Sequence, residues 1–223
     1  MNKSIYPIYL TLLLILGSQI LLNAQVYEFI SQTDNTILQH RIFKDLNYFI
    51  ETVFVTNPPQ FKYTRGGFYK ESANRIEVIF EFNSNIESDG LKKQIYIQGT
   101  NWEMVSKEKL PLEGKWLMGG RVTNTGEQRR DLSRPRKTMK ILFKGYFQWT
   151  AFNTETLAIF GSGGGRYLAE EEIYEETIEY FSRDNSRVGQ KLSFSYDEKG
   201  KDWYHNGLSS KGDPLHEIWT SRD

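Results

Sequence analysis

The sequence predicts an all-β fold of antiparallel barrel units in tandem, and three observations carry that prediction. From Gln25 onward, short runs of Val, Ile, Tyr and Phe are broken by Asn, Asp, Gly or Pro at about every eight to twelve residues, the spacing of a sandwich or barrel. Aromatic residues are plentiful, with 13 Tyr, 14 Phe and 5 Trp, which suits pleated sheets better than helical bundles. The chain also repeats itself without gaps at an offset of 98 positions (146 less 48). Tyr48-Phe49, Thr52 and Phe54 fall on Tyr146-Phe147, Thr150 and Phe152; Gly66, Gly67 and Tyr69 fall on Gly164, Gly165 and Tyr167; Glu77, Glu81 and Phe82 fall on Glu175, Glu179 and Tyr180. Turn glycines and strand parity recur together, as in two copies of one β unit.

Residues 1–24 read as a secretory signal. Lys3 gives a positive start, Ile8 to Leu22 is mostly apolar, and Leu22-Asn23-Ala24 ends on a small residue. The alternative is a single membrane anchor, which needs about 20 apolar residues. Gly17, Ser18 and Gln19 interrupt the run and favour cleavage, so an exported protein, periplasmic or secreted, is expected, with no stable membrane span after cleavage. Lys plus Arg and Asp plus Glu number 28 each, so no overall field recruits nucleic acid or an anionic membrane. The absence of cysteine excludes disulfides, thiol nucleophiles and thiolate metal sites.

The first unit is expected over 25–110 and looks abridged. The helix-like periodicity nearest to adequate, Ile37 to Phe49, has room for a short helix. Pro111 disfavours a ladder strand, placing the boundary near Lys109 to Gly114. The second unit, 111–223, is the longer and complete one. Trp102 corresponds either to Trp203 or to Trp219. In the latter case the first unit lacks a strand near its end and does not close by itself.

The run Gly161-Ser-Gly-Gly-Gly165 reads as a glycine-rich turn, since consecutive glycines permit positive φ and close backbone approach. A phosphate loop is the sharper alternative, but a strand pattern follows and no Gly-Lys-Ser/Thr ending is present. In the strand beyond, alternation puts Glu175, Thr177 and Glu179 on one face and Tyr174, Glu176, Ile178 and Tyr180 on the other. The matching second face of the first unit, Ile76, Val78, Phe80 and Phe82, is apolar, so that face is expected to pack. The glutamate face is then either solvated or the wall of a polar pocket. Four strand positions span about 13 Å, too far for Glu175 and Glu179 to act as paired glycosidase carboxylates, which lie about 5–9.5 Å apart.

Histidine is limited to His40, His205 and His216. His205 shares strand parity with Trp203 and lines the same surface, and no spacing motif supports a metal site. Trp149 falls on Glu51 of the first unit, which argues against deep apolar core at that position in both copies. It lies either outside or in a pocket confined to the second unit. The basic stretch Arg129, Arg130, Arg134, Arg136 and Lys137 lacks interleaved aromatics and reads as a solvated loop facing the acidic strand.

Gly114-x-Trp116 at the start of a run of short strands resembles the calycin or lipocalin-like barrel. Gly-Gly-Gly-x-Tyr167, Glu175-Glu-Thr-Ile-Glu-Tyr-Phe181 and Trp203-Tyr-His205-x-Gly207 are similar to a lipocalin-like domain of unknown function from secreted bacterial proteins. The resemblance covers the second unit end to end and the first in part. It implies a barrel whose Trp116 plugs one end, covered by an arginine of the last strand, here Arg222. The expected role is binding of a small apolar or amphipathic molecule in the second barrel, with Trp149, Tyr167, Glu175, Glu179, Trp203 and His205 in its wall. No cofactor, metal, nucleic acid or catalytic residue is expected. The rival is a structural or protein-interaction module whose barrels are filled by side chains; a more distant one is a hydrolase using Glu179 and His205.

Overall fold

Seven strands of the first half form an open, curved antiparallel sheet. They are β1 (Gln25–Thr33), β2 (Thr36–Lys44), β3 (Tyr48–Thr56), β4 (Pro59–Ser72), β5 (Arg75–Asn83), β6 (Lys93–Ile97) and β7 (Glu103–Met104), with a one-turn helix α1 (Ile86–Asp89) before β6. Their order is β6-β5-β4-β3-β2-β1-β7. The second half supplies β8 (Gly114–Thr123), β9 (Gly126–Arg129), β10 (Arg136–Phe143), β11 (Tyr146–Asn153), β12 (Ile159–Glu170), β13 (Ile173–Phe181), β14 (Lys191–Lys199), β15 (Asp202–Leu208) and β16 (Pro214–Ser221). β10 to β16 run in sequence around a cylinder that β8 closes by pairing with both β16 and β10, and β9 is a flap hairpinned onto β8. The protein is thus all-β, a closed eight-stranded antiparallel barrel preceded by a half-barrel. This computed structural model describes residues 24–209 and 211–222. The expected signal therefore lies outside the described residues, except for Ala24.

The repeat recurs in the pairing itself. Phe49 faces Gly67 and Phe147 faces Gly165 across β3–β4 and β11–β12; both ladders slip at the same place, between Val53 and Phe54 and between Ala151 and Phe152. The next ladders slip alike, with Gly66 opposite Phe82 but Gly67 opposite Phe80, and Gly164 opposite Tyr180 but Gly165 opposite Ile178. Glu81 and Glu179 are therefore the extra residues of two equivalent β-bulges, and a bulge reverses the parity of the residues beyond it.

That reversal decides how the halves meet. Ile76, Val78 and Phe80 pack on the concave face of the half-barrel, whereas Phe82 crosses to the core between the halves. Tyr180 likewise turns outward, its ring 4.8 Å from Phe54, while its counterpart Phe82 lies 5.0 Å from Phe152. Phe54 and Phe152 are themselves equivalent, so the joint is self-complementary in the manner of a two-fold dimer. The expectation that Phe82 and Tyr180 share a face with the preceding apolar residues is corrected by these bulges.

β2 and β3 are buried along both faces over most of their length, one against the concave core and one against the other half. This corrects the short helix expected between Ile37 and Phe49, which is β2 and β3. A strand buried on both sides shows no alternation in its sequence. The glycine run also differs from the expected turn: Gly161 to Gly165 lie inside β12. None of Gly163 to Gly165 has a positive φ, and a Cβ on Gly165 would collide with the Thr177 carbonyl oxygen. Close strand approach at the bulge is what requires glycine there.

Pairing also settles the counterpart of Trp102. In the barrel, Thr220 and Ser221 oppose Leu117 and Trp116; in the half-barrel, Glu103 and Met104 oppose Glu28 and Tyr27. The β1–β2 and β8–β10 registers make Tyr27 and Glu28 equivalent to Trp116 and Leu117, so Trp102 matches Trp219. β7 takes the place of β16, the strand equivalent to β15 is missing, and the first sheet stays open.

Candidate functional site

The barrel interior is graded from one end to the other. Its closed end is aromatic: Trp116, Tyr167, Tyr174, Phe194, Trp203 and Trp219 pack together with Leu112. Trp116 donates from Nε1 to the Leu112 carbonyl oxygen at 2.9 Å, and its ring meets Trp203 edge-on at 5.8 Å. Arg222, expected to cover Trp116, instead reaches the half-barrel. Its guanidinium bonds both oxygens of Glu81 and lies 4.9 Å from the Tyr48 ring.

Above the aromatic floor sits a buried polar layer. Lys140 of β10 donates from Nζ to Glu176 Oε1 at 2.8 Å, and Tyr174 OH donates to the same oxygen at 2.8 Å. Lys140 and Glu176 are both nearly inaccessible, so each charge depends on the other. The Lys140 ammonium also lies 5.0–5.2 Å from the rings of Tyr174, Trp203 and Trp219, within cation–π range. In the half-barrel the equivalents of Lys140 and Glu176 are Ile42 and Val78, so this charge pair belongs to the barrel alone.

His205 of β15 is buried beside Phe194, with ring centroids 4.0 Å apart. Its Nδ1 stands 3.6 Å from Glu217 Oε2, and neither ring nitrogen has a hydrogen-bond partner among the described residues. Burial, reinforced by the Lys140 charge, pushes the imidazole below its ordinary value, so His205 is neutral at pH 7. For Glu217, burial acts to raise the carboxyl. The contact with His205 and the charges of Lys140 and Arg121 outweigh it and leave the group below its usual range.

Toward the open end the lumen widens into a cavity of about 1250 Å³. Phe147, Trp149, Ile178 and Phe181 form its apolar wall, and Arg121, Arg130 and Arg136 stand at its mouth. The basic stretch is thus a rim of the barrel as well as a solvated loop. Its Arg129 pairs with Glu127 and Asp202, and neither carboxylate belongs to the acidic strand.

The structure brings four of the six expected residues into the lumen. Trp149 lines the cavity, as does His205, while Tyr167 and Trp203 lie deeper in the floor. The two glutamates lie elsewhere. Glu175 is exposed on the outside, and Glu179, at its bulge, accepts from Arg41 at 2.6 Å and Arg166 at 3.0 Å. Glu179 and His205 are consequently on opposite sides of the barrel wall.

The carboxylates that do face inward are Glu176 and Glu217. Alternation already put Glu176 on the packing face, but its counterpart Val78 is apolar and gives no sign of a buried charge. Glu51, the counterpart of Trp149, is also buried: His40 Nδ1 lies 3.0 Å away, and Tyr96 and Tyr63 donate at 3.1 and 3.2 Å. A carboxylate fully supplied with hydrogen bonds can occupy an interior position. Compared with known proteins, the chain matches no protein-family model and no curated protein.

Proposed function

We propose that the protein is an exported, lipocalin-like binding protein that holds a small amphipathic molecule in its second, closed barrel. The observation that carries this reading is the cavity of about 1250 Å³ bounded by Phe147, Trp149, Ile178 and Phe181. Ligand pockets are typically about 300–1000 Å³ with mainly apolar walls and a few placed polar groups; this cavity, continuous with its open mouth, is larger and combines its apolar wall with a charged rim. His205, with two unpartnered ring nitrogens and a neutral ring, supplies a polar group of that kind.

The half-barrel supports the binding unit structurally. Its concave face is occupied by Phe49, Phe80, Tyr96 and Trp102, so the filled-module reading applies to that half.

Titration with the neutral dye N-phenyl-1-naphthylamine tests the proposal. Saturable fluorescence enhancement is expected, and Ala151→Trp, which thickens the cavity wall, weakens dye binding at least tenfold while leaving the circular dichroism unchanged. Equal enhancement in the variant, or none in the parent, would overturn the reading.

A further inference from the structure

The chain as a whole is neutral, but charge is sorted at the cavity. Nine Lys and Arg line it against five Asp and Glu. Inside, Lys140 is matched to Glu176, and Glu217, beside the neutral His205, is a further carboxylate. The surplus lies at the rim. There, Arg129 is neutralised by Glu127 and Asp202, and Arg134 lies near Asp131. Arg121, Arg130 and Arg136 have no carboxylate within 4 Å among the described residues.

These three come from adjoining pieces of one barrel edge: β8, the residue after β9, and the first residue of β10. Arg130 is held against the barrel by its backbone N–H, which donates to the Gly119 carbonyl oxygen. Burial, followed by repulsion from Arg121 and Arg136, lowers the pKa of Arg130, with Glu217 the opposing influence. Like charges are thus gathered above an apolar wall, Arg130 partly desolvated among them, with Glu217 the opposing charge but outside ion-pair reach. Guanidinium forks match carboxylate and phosphate oxygens geometrically, so an anion at the rim would relieve the repulsion.

The geometry points to an amphipathic anion as the ligand: a carboxylate or phosphate head held by Arg121, Arg130 and Arg136 at the mouth, with its apolar body running inward along Trp149 and Phe181. This rests on the binding role proposed above and adds the charge and orientation of the bound molecule.

Four probes of matched tail or head test it on the full mature protein: dodecanoate, dodecyl phosphate, dodecanol and inorganic phosphate, each by isothermal titration. Dodecanoate and dodecyl phosphate are expected to bind at least tenfold tighter than dodecanol, with the advantage shrinking as salt rises. Arg121→Gln and Arg130→Gln should each remove most of that advantage and leave dodecanol binding unchanged. Equal binding of dodecanol and dodecanoate, or an undiminished advantage in both variants, would overturn the anionic head while leaving the cavity role intact. Failure of every dodecyl probe would overturn both readings. Inorganic phosphate binding without any dodecyl compound would mark the rim as a site for free anions and also overturn the amphiphile.

Discussion

Glu179 and its counterpart Glu81 show how one residue sets a side of the molecule. Each is the extra residue of a bulge, and each is met by an arginine from the other half: Arg41 for Glu179, Arg222 for Glu81. The glycine opposite is equally constrained. A Cβ on Gly165 would collide with the Thr177 carbonyl oxygen and lie 2.8 Å from the Glu179 nitrogen, both backbone and unable to swing aside. Gly165→Ala is expected to destabilise the protein by about 2–3 kcal/mol in urea unfolding. Gly200→Ala, whose Cβ meets nothing within 4 Å but whose φ is +65°, is expected to cost about 1 kcal/mol. His205 gives a pH signature. Facing Lys140, Glu176 and Glu217, it has a folded pKa below the unfolded one, so the unfolded chain binds the proton more readily. Its contribution is complete above about pH 6.5 and is lost as pH falls. His205→Gln should flatten the stability curve below about pH 6.5, measured by thermal melts at successively lower pH. Loss from Glu217 follows the same direction, beginning lower, below its ordinary 4.5.

At the scale of the element, the strands most buried were the hardest to read. β2 and β3 lie between two cores and lost the alternation that identifies a strand, whereas β13, with one face half-exposed, was legible residue by residue up to Glu179. Beyond it the parity reverses, because a bulge is a property of two paired strands and leaves little mark on either sequence alone. The same limit explains the site. Parity put His205 on the same surface as Trp203, and the counterpart Glu51 left Trp149 either outside or in a pocket, but the partner of Glu176 is Lys140, three strands away in sequence, and no local pattern announces that pairing. Arg41 joins elements in the same non-local way. It is buried, bonded to Glu28 and Glu179, and 4.2 Å from the Tyr146 ring. Burial alone would lower its pKa, and the two carboxylates outweigh it and raise the value. Arg41→Met, which strands two carboxylates at the joint, should cost about 3 kcal/mol, measured by chemical denaturation. A loss below about 0.5 kcal/mol would show that solvent already screens the pair.

For the whole molecule, the duplication was legible because its offset preserves aromatic, glycine and glutamate positions together, and the open state of the first sheet followed once Trp102 was matched to Trp219. What the sequence did not show is that the copies pack back to back. Gln148 is central to that joint. It accepts from Thr52 at 2.6 Å and Tyr180 at 2.8 Å, and donates to Thr64 and Thr150 at 3.0 Å each. Its counterpart is Ile50, so a single amide serves both halves. Residues 25–110 expressed alone would expose Val26, Phe43, Tyr48, Ile50 and Phe82, all buried in the shared core. That fragment is expected to show no cooperative thermal transition, whereas the whole protein melts in one; a sharp, reversible melt of the fragment would contradict the shared core.

The missing strand of the half-barrel takes on its meaning from the short stretch 105–113 that joins the two sheets. A tether of that length keeps the companion surface at a local concentration in about the millimolar range, whatever the dilution of the protein. An unclosed sheet that would be precarious as a free molecule never leaves its support, so the front half can dispense with a strand that the back half needs for closure.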